Sequence, residues 1–301
     1  MRYMTIHGGT TAGIGSRIRT FLEMIKFSHT VFALPFALTG AVLAARGFPA
    51  PHQVFWIIMA MVGARTAAMG LNRLIDAEID ARNPRTSGRA IPAGLLGKGT
   101  VAACVAVAVA LLLFAASRLN PLCLYLAPVA LFFLVLYSYC KRFTSLAHLV
   151  LGLCLGAAPV GAWIAVKGVV ELPPVLLGCA VLFWSAGFDV LYALQDLEFD
   201  RANGLHSIPV RLGVRGSLLA ARLFHLVMMA LLAALAVIMH LGLFFLGGLV
   251  VAAGMLVHEH RLLKDGDLSK LDMAFFNVNG YISLEIFFFT LADVFVFRSG
   301  L

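Results

Sequence analysis

The chain has 301 residues, 61% of them hydrophobic and 13% charged, with a mean hydropathy of +0.94. Apolar runs of about 20 residues, enough to cross a bilayer, recur along the whole length and exclude a soluble domain. The net charge of +8 reports membrane topology rather than nucleic-acid binding, because basic residues in such a chain mark its cytoplasmic loops.

Residues 1–19 are Gly/Thr-rich and lack an apolar core with a cleavage site. They read as a short cytosolic tail ahead of one all-α transmembrane domain over 20–301. Nine spans are expected, at roughly 22–45, 53–74, 99–117, 120–139, 146–166, 174–195, 216–238, 241–258 and 273–297. Breaks fall at Gly-Phe-Pro-Ala-Pro (47–51), Asn120-Pro121, Leu172-Pro173-Pro174, Met239 to Gly242, and Lys264 to Asp267. With these spans, 18 basic residues lie on the N-terminal side and four (Arg46, Arg118, Lys167, Arg298) on the other. That asymmetry places the N-terminus in the cytoplasm and the chain, multi-pass, in the inner (cytoplasmic) membrane.

The five cysteines are scattered through apolar segments without a Cys-x-x-Cys pair and read as small buried hydrophobes. His258-Glu259-His260 is too tightly spaced for a His-Glu-x-x-His zinc site and is expected in a solvated loop.

Of the 15 Asp and Glu, seven fall in two short stretches that end spans two and six. The first is Asn72-x3-Asp76-x3-Asp80; the second is Tyr192-x3-Asp196-x3-Asp200, with Asp189 seven residues before Asp196. On a continuous helix, a spacing of four keeps such residues on one face, drifting by ~40° per step. Glu78 and Glu198 fall on the other side. Carboxylates gathered on one face repel each other unless cations sit between them. Hard oxygen ligands from Asn72, Asp76, Asp80, Asp189, Asp196 and Asp200 suit Mg²⁺, which favours phosphate oxygens as co-ligands. Two such helices facing one another would clamp a diphosphate through magnesium. One charged helix end is commonly just a solvated interface; two with the same period at one membrane face are harder to explain that way.

A diphosphate also needs direct cationic contacts. The candidates are Lys26 in span one, Lys141 and Arg142 after span four, and Arg82, Arg85, Arg201 and Arg211 in the loops. Each also serves the topology, but Lys26 and the Lys141-Arg142 pair stand out, since snorkelling residues are usually placed singly at span ends.

NRLIDAEID (72–80) and YALQDLEFD (192–200) match the paired motifs of the UbiA family of intramembrane aromatic prenyltransferases, which this chain resembles over nearly its full length. YSYCKRFT (137–144), RTSGRAIPAG (85–94) and GLHSIPVRLG (204–213) match as well. Arg73 after Asn72 is a mild departure, since Asp often stands there in the family. The flanks GLNRLIDAEIDARNPRT and FDVLYALQDLEFDRANGLHSIP are most similar to the 4-hydroxybenzoate polyprenyltransferase branch, especially the bacterial group associated with menaquinone made through futalosine. The resemblance implies nine helices around a central cavity, capped on the cytoplasmic side and open laterally to lipid.

The implied reaction is Mg²⁺-dependent transfer of a polyprenyl group from its diphosphate to the ring of 4-hydroxybenzoate or a closely related aromatic acid, in respiratory quinone (ubiquinone) biosynthesis. A dihydroxynaphthoate acceptor, in menaquinone biosynthesis, is the alternative. Asp76 and Asp196 would hold the metal that activates the leaving group, and Lys141 and Arg142 would hold either the diphosphate or the acceptor's carboxylate. Tyr192 would stabilise positive charge or orient substrate, or else be an interface tyrosine. An ion-coupled transporter is the reading from a different class, but such proteins usually place their acids near the midplane, at broken helices. CDP-alcohol phosphotransferases use one extended Asp-rich motif that does not occur here.

Overall fold

The computed structural model describes residues 14–25, 33–263, 271 and 277–298, and among them there is no β-strand. Twelve helices follow in chain order: α1 (Ile14–Met24), α2 (Leu34–Ala45), α3 (Pro51–Ile75), α4 (Ala77–Arg82), α5 (Lys98–Leu119) and α6 (Pro121–Cys140) come first. Then come α7 (Ala147–Lys167), α8 (Leu172–Ala193), α9 (Leu197–Ala202), α10 (Ile208–Met239), α11 (Leu243–Leu262) and α12 (Asn279–Arg298).

Eight helices among the described residues are long and apolar enough to cross a bilayer; α2, with 12 residues, is the shorter apolar one. The expected first span, 22–45, is represented by the end of α1 and by α2, and residues 26–32 between them lie outside the described residues. Helix α1 begins at Ile14, inside the stretch expected to be tail. It stays on the protein because Phe21, Met24 and Ile25 are buried with Ala90, Leu96, Val101 and Val105.

Most successive long helices are spatial neighbours: α5 packs on α6, α6 on α7, α7 on α8, α8 on α10, α10 on α11, and α11 on α12. Helix α2 closes the bundle against α7 and α12, and α3 packs along α5. The shared core contains Phe36, Trp163, Trp184, Phe188, Leu232 and Phe245, with the Trp184 ring 4.9 Å from both Phe36 and Phe188. Outward faces are apolar too: Phe132, Leu226 and Val250 are 60%, 64% and 73% exposed, which suits lipid rather than water as solvent.

Small residues let the helices meet. A Cβ on Gly152 or Gly156 of α7 would run into the backbone carbonyls of Leu182 and Gly178 on α8. This small-x3-small approach brings backbones together where no hydrophobic effect acts between helices in lipid.

The chain breaks sort to two ends. At one end Asn120 donates to the Ile164 carbonyl (2.7 Å), Gln53 to that of Ala165 (3.3 Å), and Asp293 accepts from the Gly242 and Phe245 amides that open α11. At the other end meet the C-termini of α3, α6 and α8. There the His206 amide donates to the Lys141 carbonyl at 2.7 Å, and Ser207 caps α10 through the Val210 amide. Helix α10 starts at Ile208, eight residues before the expected span, and turns at Gly213, whose φ of 68° suits glycine.

His258-Glu259-His260 is corrected. It lies inside α11, not in a solvated loop, because the helix runs four residues past its expected end while one face stays packed. Glu259 is buried and accepts from Asn279 at 2.8 Å, Asn279 accepts from the Trp184 indole at 2.8 Å, and His260 meets His225 at 3.0 Å.

Replacing Gly156 by Leu is expected to cost roughly 1–3 kcal/mol or more through overpacking against α8. Gly161→Ala, at a position facing open space, is expected to cost little. The thermal inactivation midpoints of the two purified variants check this.

Candidate active site

Both acidic motifs sit where a long helix ends and a short one continues. Helix α3 stops at Asp76, whose backbone (φ −91°, ψ 3°) leaves the helical region before α4 resumes. In the second motif a 3-10 turn over Leu194–Asp196 separates α8 from α9. The uninterrupted helices implied by the spacing are therefore each bent at the central aspartate. At Asp76 the bend exposes the Ile75 carbonyl, which the Arg142 guanidinium takes at 2.9 Å. Backbone hydrogen bonds from the Asp76 amide to the Asn72 carbonyl (2.9 Å) and from the Asp80 amide to the Asp76 carbonyl (2.8 Å) carry the four-residue register across it. Asp76 and Asp80 are thus buried while Glu78 is exposed, and Asp200 is buried while Glu198 is exposed.

Each carboxylate of the first motif meets a cation. Asp76 takes Lys141 Nζ at 3.1 Å and Arg142 Nη2 at 2.9 Å, and accepts from Asn72 Nδ2 at 2.9 Å. Asn72 also reaches the Ser138 hydroxyl at 3.4 Å, and its carbonyl accepts from Arg73 at 3.0 Å. Asp80 receives Arg89 Nη1 on both oxygens, at 2.7 and 2.8 Å. The Thr86 hydroxyl donates to the Asp80 carbonyl, so this aspartate also pins the following loop. Lys141 and Arg142, on the far side of the sequence from motif one, are brought directly onto it.

The two motifs are joined by the loop that leaves the first. Asn83 Nδ2 donates to Asp196 Oδ1 at 2.9 Å, Arg85 Nε donates to the same oxygen at 2.8 Å, and Arg85 Nη2 pairs with Asp196 Oδ2. Arg85 Nη1 also reaches the Tyr192 hydroxyl at 3.3 Å, with its guanidinium 5.4 Å from the ring centre. Burial disfavours the Arg85 charge, but its bonds to Asp196 outweigh that and hold its pKa above the ordinary arginine value. Arg85 is thus charged at any accessible pH.

Asp189 is held differently. His148 Nδ1 lies 2.7 Å from its Oδ2, while His148 Nε2 lies 3.4 Å from the Ile208 amide. An amide can only donate, so Nε2 accepts and Nδ1 carries the proton given to Asp189. Sequence reasoning missed His148, a lone histidine in an apolar helix, and Asn83, an ordinary loop amide. Among the remaining candidates, Arg82 lines a cavity beside motif one, Arg201 pairs at the surface with Glu198 (3.6 Å), and Arg211 is exposed. Lys26 lies outside the described residues.

A hard divalent cation fits this site by donor chemistry: five carboxylates and a carboxamide at one end of the bundle, with cationic nitrogens already drawn onto Asp76, Asp80 and Asp196. Among the described residues no three acidic, His or Cys side chains share one coordination sphere. The arrangement is charge-paired, and a metal would take the place that Lys141, Arg85 and Arg89 nitrogens hold here.

Residues 33–283 match the model of the UbiA prenyltransferase family, and the chain belongs to that family. A 4-hydroxybenzoate octaprenyltransferase from Nitrosomonas europaea is 31% identical over 94% of this chain and 97% of its own length. One from Aromatoleum aromaticum is 28% identical over 96% and 99%. The apo structure of a UbiA homologue from Aeropyrum pernix superposes with a TM-score of 0.81 at 32% identity, over 88% of this chain and 98% of that one. A UbiA homologue from Archaeoglobus fulgidus, described as bound to DMAPP and Mg²⁺, shares the fold (TM-score 0.68, 17% identity, 92% of this chain and 99% of that one).

Arg85→Lys is expected to free the loop after motif one, because an ammonium cannot span Asp196 and Tyr192 as the planar guanidinium does. Hydrogen–deuterium exchange over residues 83–97 should accelerate in the variant, with α7 and α8 unchanged.

Proposed function

We propose that this protein transfers a polyprenyl group from its diphosphate to the ring of an aromatic acid, with 4-hydroxybenzoate the favoured acceptor, for quinone synthesis at the cytoplasmic membrane. The observation that carries the reading is the bridge from the first motif's loop to Asp196. It supports the two acidic motifs working as one site rather than as separate solvated helix ends. The names of the curated relatives favour 4-hydroxybenzoate over a dihydroxynaphthoate.

Asn72, Asp76 and Asp80 on one side, and Asp189, Asp196 and Asp200 on the other, would hold Mg²⁺. The metal, when bound, supplies charge neutralisation that makes diphosphate a better leaving group. Lys141 and Arg142 reach motif one from α6 and its end, placed to turn from Asp76 to the phosphate oxygens; Arg85 does the same from Asp196. As the allylic carbon–oxygen bond breaks, that carbon bonds to the ring carbon beside the acceptor hydroxyl, and the ring carbon loses its proton. Tyr192, held by Arg85, offers a ring face to the developing positive charge. The apolar bundle below the motifs keeps water from capturing the carbon first. Arg201, turned to Glu198, takes no part.

Asp76→Ala and Asp196→Ala are each expected to lower kcat by at least about a thousandfold while the protein stays inserted. Glu198→Ala, on the exposed side, should keep it within about threefold. Prenyl transfer to 4-hydroxybenzoate in detergent, with Mg²⁺ present, measures all three; an active Asp76→Ala enzyme contradicts the reading.

A further inference from the structure

The connection from α6 to α7 serves both motifs. Lys141 and Arg142 at its start meet Asp76, and His148, the second residue of α7, meets Asp189. Helix packing fixes where that histidine stands. His148, Gly152 and Gly156 are spaced by four along α7 and share a face. At the two glycines this face comes so close to α8 that a Cβ would strike the carbonyls of Leu182 and Gly178. The order of those contacts makes α7 and α8 antiparallel, so the next turn of the same face brings His148 Nδ1 to within 2.7 Å of Asp189 Oδ2. With its side chain only 5% exposed, the ring has little room to turn.

Both ring nitrogens are used, and in opposite senses. Nε2 accepts from the Ile208 amide at 3.4 Å, so Nδ1 carries the proton and donates to Asp189. That amide is one of the N–H groups left without an intrahelical partner at the start of α10, just after the Ser207 cap. The ring thereby links the Asp189 carboxylate to the loop that leaves the second motif.

The partner is uncharged in this tautomer, whereas Asp76, Asp80 and Asp196 are met by lysine or arginine nitrogens. A neutral donor leaves the negative charge of Asp189 in place and does not repel a divalent cation. It also engages Oδ2 alone: among the described residues Oδ1 makes no hydrogen bond or ion pair. Mg²⁺ demands near-octahedral geometry, which a carboxylate meets through one oxygen, while two-oxygen binding suits the larger Ca²⁺. Resting on the metal–diphosphate reading above, we infer that His148 is a positioning residue for Asp189. Its Nδ1–H holds Oδ2 so that Oδ1 is the oxygen left for the cation, and its Nε2 braces the ring against α10.

The test compares His148→Asn with His148→Gln in the full-length protein. Asn carries its amide where Nδ1 stands and can still donate to Asp189; Gln carries its amide where Nε2 stands and can still accept from Ile208. The readouts are the Mg²⁺ concentration that half-saturates equilibrium binding of geranyl diphosphate, and hydrogen–deuterium exchange over residues 203–210. Losing an outer partner of a metal ligand costs about 10–100-fold in metal affinity, so His148→Gln is expected to raise the half-saturating Mg²⁺ about tenfold or more with exchange unchanged. His148→Asn is expected to stay within about threefold in Mg²⁺ while exchange over 203–210 accelerates. A His148→Gln protein that needs no more Mg²⁺ than wild type, or a His148→Asn protein that loses as much as His148→Gln, overturns the positioning role alone. Wild-type binding of geranyl diphosphate that needs no Mg²⁺ overturns the metal–diphosphate reading and the role with it.

Discussion

The structure of the site depends on compensating buried negative charge at two helix ends. Asp76 and Asp80 are almost fully buried, and a carboxylate taken from water without a partner is unstable by several kcal/mol. Lys141, Arg142 and Arg89 provide the partners, and Asn83 and Arg85 do the same for Asp196. Because these partners come from the turn after α6 and from the loop after α4, satisfying the charges also ties the ends of α3, α6 and α8 together. The same pairs leave Lys141, Arg142, Arg89 and Arg85 resting directly on the carboxylates.

The two ends of the bundle use acids for different ends. Asp293 at the far end caps the amides that open α11, and Glu259 accepts from Asn279 within the core. Neither meets a lysine or arginine among the described contacts. At the motif end Asp76, Asp80 and Asp196 each meet a lysine or arginine instead.

Much of this was legible in the residues. The fourfold spacing of Asn72, Asp76 and Asp80, and its repeat from Tyr192, placed both motifs and turned Glu78 and Glu198 outward, because helical periodicity survives a local bend. The bends at Asp76 and Asp196 were not legible from the spacing; at Asp76 a tertiary partner, Arg142, takes the Ile75 carbonyl that the helix gives up. His148 was hidden for a related reason: one histidine in an apolar helix carries no pattern, and its value comes from Asp189 and Ile208 arriving from α8 and α10. Glu259 and His260 were misread as loop because their polarity suggested water, whereas α10 and α12 supply buried partners that only the fold brings near.

Joint binding of a metal–diphosphate by the two motifs is the proposal on which the function rests. It is tested most directly by measuring the binding of geranyl diphosphate to the purified wild-type protein, with Mg²⁺ present and again with the metal removed by EDTA. Binding is expected to need Mg²⁺ and to weaken at least about a hundredfold without it, since the carboxylates then repel the phosphates. Equal affinity with and without metal would contradict it.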